Sequence, residues 1–187
     1  MNTSFSHTIL GLCLGSLSIL ACACSSDESG ASETNQSLYK KYDPCALVTQ
    51  AEAEAALGVK VLIDRHDTET TSPIGNKICY YNIATEDDMK FVQIAINEQA
   101  SMTNGLTAES LYKSTKDLLG TTTAVAGVGD DAYYGGSGLK AGAGLTALIA
   151  SKGVTINLMV GLGKGNTDEA AHIALEKTLA LKAISRL

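Results

Sequence analysis

The sequence predicts an α+β fold in which helices back an antiparallel β-sheet, with the elements in the order α-βββ-α-βββ(β)-α. Three segments carry helix-start signals and apolar residues at three-and-four spacing, and the segments between them alternate or are β-branched, as strands are. The connections are short, which favours antiparallel pairing because parallel strands need a crossover of roughly a dozen residues or more. The first two helices each end in Leu-Gly before a strand, which suggests a degenerate duplication.

The first helix is expected from a capping box at Thr49, whose hydroxyl can accept a hydrogen bond from the backbone N–H of Glu52 while the Glu52 side chain reaches back. It should end at Gly58, because glycine readily adopts the left-handed conformation that terminates helices. Three strand-like segments follow this helix, at 59–63, 78–83 and 91–97.

The second helix is expected from near Thr107 to Gly120. The third should begin at a cap formed by Asn166 or Thr167 and run to the C-terminus, with His172 at the surface or at a boundary. Four strand-like segments lie between these two helices, at 125–128, 132–134, 145–150 and 154–160.

An export signal is predicted at the N-terminus. Residues 9–23 (ILGLCLGSLSILACA) form an apolar run close to the ~7–15 residues of a signal core and short of the ~20 residues that a membrane span needs. The stretch Ile19-Leu20-Ala21-Cys22 resembles the bacterial lipobox, in which the cysteine is acylated and becomes the new N-terminus. Cys24 is the less favoured alternative for lipidation.

These signals divide the chain into three regions: a signal peptide over 1–21, a lipidated Cys22 with a flexible linker over 22–38, and one α+β domain over 39–187. The linker is rich in Ser, Asp, Glu, Gly and Thr, so it cannot bury enough apolar surface to order itself. An acyl anchor such as palmitate would hold the exported protein on a membrane of the cell envelope. Ala23 stands after Cys22 in place of Asp, which favours the outer membrane.

Cys45 and Cys79 are the two cysteines of the predicted domain, and in an exported domain such a pair favours a disulfide. Closing the loop between positions 45 and 79 would stabilise the fold by roughly 3–4 kcal/mol in the chain-entropy account. A metal pair is the alternative, but the chain has no CxxC motif and no histidine at ligand spacing from these cysteines.

Several classes of function have no support in the sequence. The chain carries 20 Asp and Glu against 14 Lys and Arg, a net charge of -6, which argues against nucleic-acid binding. The segment around His66 is charged, but such a run is typical of a solvated surface and not of a metal site. The glycine-rich stretch 161–167 lacks the spacing of a phosphate-binding loop, and no nucleophile motif is present. We therefore expect no catalysis, no metal and no cofactor.

Four short motifs carry a resemblance to a known family: DPCALVT at 43–49, LG at 57–58, CY at 79–80 and GVGDDAY at 127–133. They resemble segments of small secreted bacterial lipoprotein domains of unknown function, best known from actinobacteria, over most of residues 42–187. The resemblance implies a lipid anchor, one Cys–Cys bridge and an α+β domain without catalytic residues, and it supplies no ligand. Within the last motif, Gly127 and Gly129 permit positive φ at a bend, and Asp130 can accept hydrogen bonds from backbone N–H groups.

Two tyrosine pairs, Tyr80-Tyr81 and Tyr133-Tyr134, are candidates for a contact surface. Neighbouring residues on a strand face opposite ways, so one member of each pair should pack inward and the other should face out. An exposed tyrosine is common at interfaces, and we take Tyr81, Tyr133 and Tyr134 as candidate binding residues.

The functional prediction is a lipid-anchored envelope lipoprotein whose non-catalytic domain binds a protein or a small ligand, and not nucleic acid. The alternative is an inhibitor or immunity protein directed against an exported hydrolase. A third hypothesis, a hydrolase with an unrecognised site, would require a cluster of His66 or His172 with carboxylates in a pocket.

Overall fold

The computed structural model describes residues 38–84, 89–136 and 143–187. The predicted signal peptide, both candidate lipidation sites Cys22 and Cys24, and all but the last residue of the predicted linker lie outside these ranges. Within them, no helix is long and apolar enough to cross a lipid bilayer. The elements in chain order are α1 (Pro44–Leu47), α2 (Gln50–Leu57), β1 (Leu62–His66), β2 (Ile74–Asn82), β3 (Lys90–Met102), α3 (Ala108–Leu118), β4 (Thr123–Ala124), β5 (Asp131–Gly136), β6 (Ala143–Ile149), a 3-10 turn (Ala150–Lys152), β7 (Val154–Leu162) and α4 (Glu169–Ile184).

The strands form one antiparallel sheet in the order β1-β2-β3-β7-β6-β5-β4, which confirms the predicted fold class and the approximate order of elements. Strands β1 to β3 form one meander and β4 to β7 form a second. The last strands of the two meanders, β3 and β7, pair at the centre of the sheet. Helix α3 carries the chain from the central strand β3 to β4 at the far edge.

Helices cover both faces of the sheet. Helices α1, α2 and α4 pack on one face, here called the inner face, and enclose the larger hydrophobic core. Helix α3 packs on the opposite face, here called the outer face, over a smaller apolar cluster. The buried members of that cluster are Met102, Ala108, Tyr112, Tyr133 and Leu148.

The helices that precede the two meanders lie on different faces, α2 on the inner face and α3 on the outer face. A twofold axis normal to the sheet is the rotation that exchanges adjacent antiparallel strands such as β3 and β7. That rotation would leave both helices on the same face. The order of elements therefore repeats along the chain, whereas the packing of the helices does not.

The signals that bound the first helix are confirmed. The hydroxyl oxygen of Thr49 accepts from the backbone N–H of Glu52 at 3.4 Å, and the backbone N–H of Thr49 donates to Glu52 Oε2 at 2.9 Å. Gly58 ends α2 in the left-handed conformation, with φ of 68°. These contacts link residues at most four positions apart, so the local sequence determines them.

The cap of the last helix differs from the prediction. Asp168 caps α4, because its Oδ1 accepts a hydrogen bond from the backbone N–H of Ala171 at 3.0 Å. Asn166, one of the two expected caps, accepts from the backbone N–H of Asp168 at 2.9 Å and so closes the turn ahead of the helix. An Asp at this position also places negative charge at the positive end of the helix dipole.

Residues 125–128 form a bend and not the predicted strand, and the strand in this region is the shorter Thr123–Ala124. Gly127 and Gly129 have φ of 76° and 59°, which explains why the extended conformation ends here. A Cβ atom on Gly129 would lie 2.4 Å from the carbonyl oxygen of Leu148, so a side chain cannot fit. The bend therefore requires glycine for close backbone approach as well as for positive φ.

Asp130 joins this bend to the turn between β6 and β7. Its Oδ2 accepts from the backbone N–H of Ala150 at 2.7 Å, and its own N–H donates to the carbonyl of Leu148 at 2.8 Å. The GVGDDAY motif thus holds two connections together, as expected of an architectural element.

The chain enters the domain at one end of the sheet, where a buried ion pair holds the main chain of Tyr42. The Tyr42 N–H donates to Glu98 and its carbonyl accepts from Lys77. Nearby, the ring of Tyr39 lies against Gly153, where a Cβ atom would fall 2.7 Å from a ring carbon. We call this end of the sheet the entry end.

Candidate functional site

The three tyrosines predicted as binding residues, Tyr81, Tyr133 and Tyr134, are all buried. The hydroxyl of Tyr81 donates to the carbonyl of Val48 at 2.5 Å, and burial raises the pKa of Tyr81 to about 12. Tyr134 faces the inner core and Tyr133 faces α3, so the expectation that one of this pair is exposed is wrong. The reason is that helices cover both faces of the sheet at β5. In the first pair the one-in, one-out arrangement is present, and the half-buried member is Tyr80.

The outer face is covered over only part of its area. Helix α3 lies over β5, β6 and the adjoining parts of β7 and β3. In the part of the chain that the structure describes, no helix lies over the other half of β2, β3 and β7. Four half-buried side chains on this half, Tyr80, Phe91, Gln93 and Met159, are here called the open patch.

The open patch is a continuous surface because its members are neighbours in the sheet register. Tyr80 lies opposite Gln93, and Gln93 lies opposite Met159. The rings of Tyr80 and Phe91 are 5.4 Å apart at an interplanar angle of 31°. Phe91 lies across Gly161, where an added Cβ atom would fall 2.5 Å from the ring. The absence of a side chain at position 161 therefore leaves the space that the Phe91 ring occupies.

The composition of the open patch is that of a contact surface. Aromatic residues and methionine are enriched at protein interfaces, because large flat or adaptable side chains bury much area on contact. Burial, followed by the charge of Asp64, raises the pKa of Tyr80. The Tyr80 hydroxyl therefore remains a neutral hydrogen-bond group at the edge of an apolar surface.

The open patch lies far from the entry end. On β3, Glu98 marks the entry end and Phe91 lies in the patch. The seven-residue separation corresponds to roughly 23 Å along an extended strand. A partner bound at the patch would thus be held away from the point where the N-terminal segment meets the domain.

A second concave feature lies between α3 and the ends of β5 and β6, with a volume of about 530 Å³. Six of its nine lining residues are charged, although most of the lining surface is apolar. Within it, Lys116 Nζ lies 2.9 Å from Asp131 Oδ2 and 5.5 and 5.7 Å from the ring centroids of Tyr112 and Tyr133. The charge of Lys116 is therefore satisfied within the domain, where it fastens α3 to β5.

His172 is buried against β7, so its predicted surface or boundary position is wrong. Its Nδ1 lies 2.7 Å from the carbonyl oxygen of Val160, and a carbonyl only accepts, so Nδ1 carries the proton. Glu176, one turn further along α4, accepts from the Val160 N–H at 2.9 Å. The register of β7 with β6 ends at the Leu158–Leu145 pair, two residues earlier. The two α4 side chains thus bind the β7 backbone where a neighbouring strand would otherwise do so.

The Glu176 carboxyl group is mostly protonated, and therefore neutral, below about pH 8. Burial raises its pKa to about 8, although hydrogen bonds from the backbone at Val160 and Leu145 favour the charged form. His172 is also enclosed in the core, and both side chains contact the Val160 backbone, so the pair joins α4 to β7.

The predicted disulfide is confirmed, with Cys45 and Cys79 bonded and their Cα atoms 5.1 Å apart. His66, at the end of β1, lies beside it: His66 Nε2 is 2.8 Å from Asp43 Oδ1. The same oxygen accepts from the backbone N–H of Cys45 at 2.8 Å. Ligand-type atoms of Asp43, Cys45 and His66 lie within 4.8 Å of one another. Sequence spacing does not predict this cluster, because Cys45 and Asp43 lie 21 and 23 positions before His66 in the chain.

Comparison of the chain with protein-family models, with curated proteins and with solved structures finds no match. Of the candidate sites, the open patch had only an indirect signal in the sequence, the Tyr80-Tyr81 pair. Gln93 and Met159 are ordinary strand residues, and their exposure depends on where α3 crosses the sheet.

Proposed function

We propose that this protein is a lipid-anchored lipoprotein of the bacterial cell envelope whose α+β domain is a non-catalytic binding module for a partner protein. The open patch, Tyr80, Phe91, Gln93 and Met159, is its contact surface. The observation that carries the proposal is the stretch of outer sheet face that presents the Tyr80–Phe91 ring pair and no covering helix among the described residues. Buried aromatic anchors supply much of the binding energy in protein interfaces.

The shape of the surface favours a protein over a small ligand. A small ligand is usually enclosed in a mostly apolar pocket, whereas the side chains of the open patch lie side by side on one face of the sheet. In the 530 Å³ cavity beside α3, six of the nine lining residues are charged, and Lys116 and Asp131 there pair with each other. A protein interface combines apolar contact area with a few polar groups, and here the rings of Tyr80 and Phe91 supply the first while the Gln93 amide and the Tyr80 hydroxyl supply the second.

The anchor and the patch fit together in this proposal. The lipobox-like Ile19–Cys22 and the polar linker would tether the domain at its entry end, and the patch lies at the other end of β3. A partner at the patch would then not compete with the tether for the same end of the domain. Ala23 after Cys22 supports retention at the outer membrane.

The anchor is tested by metabolic labelling with radiolabelled palmitate in a bacterial host. Wild-type protein should incorporate label and fractionate with membranes, and Cys22→Ala should do neither. Cys24→Ala is the matched control and should behave as wild type. Label retained in Cys22→Ala and lost in Cys24→Ala would move the anchor to Cys24, and loss in neither would refute the lipobox.

The contact surface is tested with Gln93→Lys, which inserts a charge at the centre of the patch without removing a packed ring. Leu181→Lys is the control, because Leu181 is an exposed apolar residue on α4, on the other face of the sheet. A partner cross-linked and recovered from envelope extract with wild type and Leu181→Lys should be lost with Gln93→Lys. Equal recovery with all three would reject the patch.

The same experiment separates the alternative function. If the recovered partner is a hydrolase, its activity is measured with and without the purified domain. Inhibition that Gln93→Lys relieves would make the protein an inhibitor or immunity protein acting through the open patch. Undiminished activity would leave a binding role without inhibition.

A further inference from the structure

We propose that the Cys45–Cys79 disulfide is the oxidised form of a metal site. Once the disulfide is reduced, Cys45, Cys79, His66 and Asp43 form a four-ligand site for a divalent cation of the zinc class. The proposal is independent of the open patch and of the lipid anchor.

The donor atoms already lie together. Asp43 Oδ1, Cys45 Sγ and His66 Nε2 are within 4.8 Å of one another, and the Cys79 sulfur is bonded to that of Cys45. A tetrahedral site with metal–ligand distances of about 2.0–2.3 Å places its ligand atoms roughly 3.3–3.8 Å apart. The oxygen and nitrogen atoms, now 2.8 Å apart, would have to separate by about 0.5 Å, and the two sulfur atoms would have to move apart once their bond is broken. The Cys45 sulfur, within 4.8 Å of the oxygen and the nitrogen, would have to approach them by up to about 1 Å, and side-chain rotation can supply each of these movements.

Backbone structure holds these residues in place. His66 is the register partner of Cys79 across β1 and β2, so imidazole and sulfur project from directly opposed positions. Asp43 is the cap of α1 and binds the N–H of Cys45, which fixes its carboxylate beside the sulfur. The 2.8 Å contact with Asp43 Oδ1 turns His66 Nε2 toward the cluster. Preorganisation of this kind lowers the cost of assembling a metal site.

The site has an outer and an inner side. The side chains of His66 and Asp43 are 36% and 44% exposed, whereas Cys79 is fully buried. A hydrated cation can therefore enter from solvent past the imidazole and the carboxylate. It would then be held from the interior by the Cys79 thiolate.

The chemistry balances with a dithiol as reductant. The dithiol gives two electrons and two protons to the Cys45–Cys79 bond, which becomes two thiols, and the dithiol becomes a cyclic disulfide. The cation then replaces the two thiol protons, which pass to solvent, and two metal–thiolate bonds form. In the oxidised structure His66 Nε2 donates to Asp43, so on binding Nε2 gives up this proton to solvent and the neutral imidazole that binds through Nε2 carries its one proton on Nδ1. Two thiolates with an imidazole suit Zn²⁺ and Co²⁺, whereas Ca²⁺ and Mg²⁺ prefer oxygen ligands.

The test uses the full chain with Ser at Cys13, Cys22 and Cys24, so that Cys45 and Cys79 are its thiols. The phosphine-reduced protein is titrated with Co²⁺, whose thiolate complexes show a charge-transfer band. We expect one Co²⁺ per chain with this band, displacement by equimolar Zn²⁺, and neither signal in the oxidised protein. Reduced Asp43→Asn/His66→Ala keeps both thiols and should bind at least about tenfold more weakly. Equal affinity in that variant would overturn the proposal.

A stability measurement tests the site even if reduction of the Cys45–Cys79 disulfide unfolds part of the domain. Equimolar Zn²⁺ should raise the Tm of the reduced protein, or restore its near-UV circular dichroism, and should leave the oxidised protein unchanged. The oxidised Asp43→Asn/His66→Ala variant shows whether the two substitutions themselves disturb the fold. If Zn²⁺ has no effect on the reduced protein, or the same effect on the reduced variant, the site does not exist.

Discussion

Lys77 and Glu98 form a buried ion pair, with Nζ and Oε1 3.0 Å apart, on adjacent strands at the entry end. Burying two charges carries a desolvation cost that their attraction offsets only when the remaining hydrogen-bonding groups are satisfied. Here the peptide of Tyr42 donates its N–H to Glu98 Oε1 and accepts from the ammonium group, whereas Glu98 Oε2 is buried without a hydrogen-bond partner among the described residues. The pair therefore fastens the entering chain to β2 and β3.

Replacing Lys77 with Met should destabilise the domain by about 3–5 kcal/mol, because the Glu98 carboxylate would remain buried without its counter-charge. The double variant Lys77→Met/Glu98→Met removes both charges and should recover part of this loss. It would still lack the acceptor for the Tyr42 N–H, a deficit of about 1–3 kcal/mol. Urea unfolding of the three proteins measures these values. A double variant less stable than Lys77→Met would contradict the account.

Glu176 should make the domain lose stability as pH rises. Burial holds its folded-state pKa at about 8, above the ordinary value of 4.5, so the folded state retains a proton that the unfolded state releases. Stability should fall between pH 4.5 and 8, by up to about 1.4 kcal/mol per pH unit. Glu176→Gln cannot ionise and keeps an oxygen for the Val160 N–H, so this decline should be absent. The free energy of unfolding of both proteins is measured with urea from pH 5 to 8. If it changes with pH in parallel for wild type and Glu176→Gln, the raised pKa of Glu176 is refuted.

Glu52 should have the opposite effect at low pH. Arg186 Nη1 and Nη2 donate to its two oxygens at 2.8 and 2.7 Å, and this pairing is the main cause that lowers the pKa of Glu52 from 4.5 to about 2. The stability is present above pH 4.5 and is lost as pH falls toward 2. Because Arg186 is partly exposed, we expect a loss of about 1–2 kcal/mol for Glu52→Gln at pH 7. At pH 2 the two proteins should unfold at closely similar urea concentrations, and a full difference persisting there would be inconsistent with the pairing.

Two glycine substitutions separate backbone strain from steric overlap. Gly129 and Gly58 have similar positive φ, 59° and 68°, but a Cβ would meet the Leu148 carbonyl oxygen at 2.4 Å in the first and nothing within 4 Å in the second. Gly58→Ala should cost about 1 kcal/mol from the left-handed conformation alone. Gly129→Ala should cost at least about 2 kcal/mol more, because the bend must move away from β6. Thermal unfolding monitored by circular dichroism measures both, and equal losses would show that the bend yields freely.

Features fixed by near neighbours in the chain were predictable from sequence. The capping box at Thr49 and the left-handed Gly58 involve contacts over a few residues. The disulfide was predictable because the domain contains one pair of cysteines. Beyond these, the apolar residues Val125 and Val128 predict a strand, although both side chains enter the core from a bend. Apolar spacing indicates burial, and it does not by itself distinguish a strand from a bend whose glycines accept positive φ.

Features that depend on which face a helix covers were not predictable. Tyr133 alternates correctly along β5, but α3 happens to cross its face and encloses it. His172 lies on a helix with apolar residues on most sides, so periodicity did not mark which side meets β7. The open patch has the same origin, since its exposure follows from the path of α3 and not from its own residues. The burial of these side chains depends on where a helix crosses the sheet. The sequence of one strand or helix does not indicate where that crossing occurs.

The hydrogen bonds of Lys77 and Glu98 with the Tyr42 backbone also determine how mechanical force enters the domain. A pull on the segment ahead of Tyr42 passes through its peptide into Lys77 and Glu98, and hence into β2 and the central strand β3. Tension is therefore shared with the middle of a seven-stranded sheet, whereas the same tension on β1 or β4 could peel an outer strand one hydrogen bond at a time. A domain attached at this point could bear tension on its N-terminal segment without first losing an edge strand of the sheet.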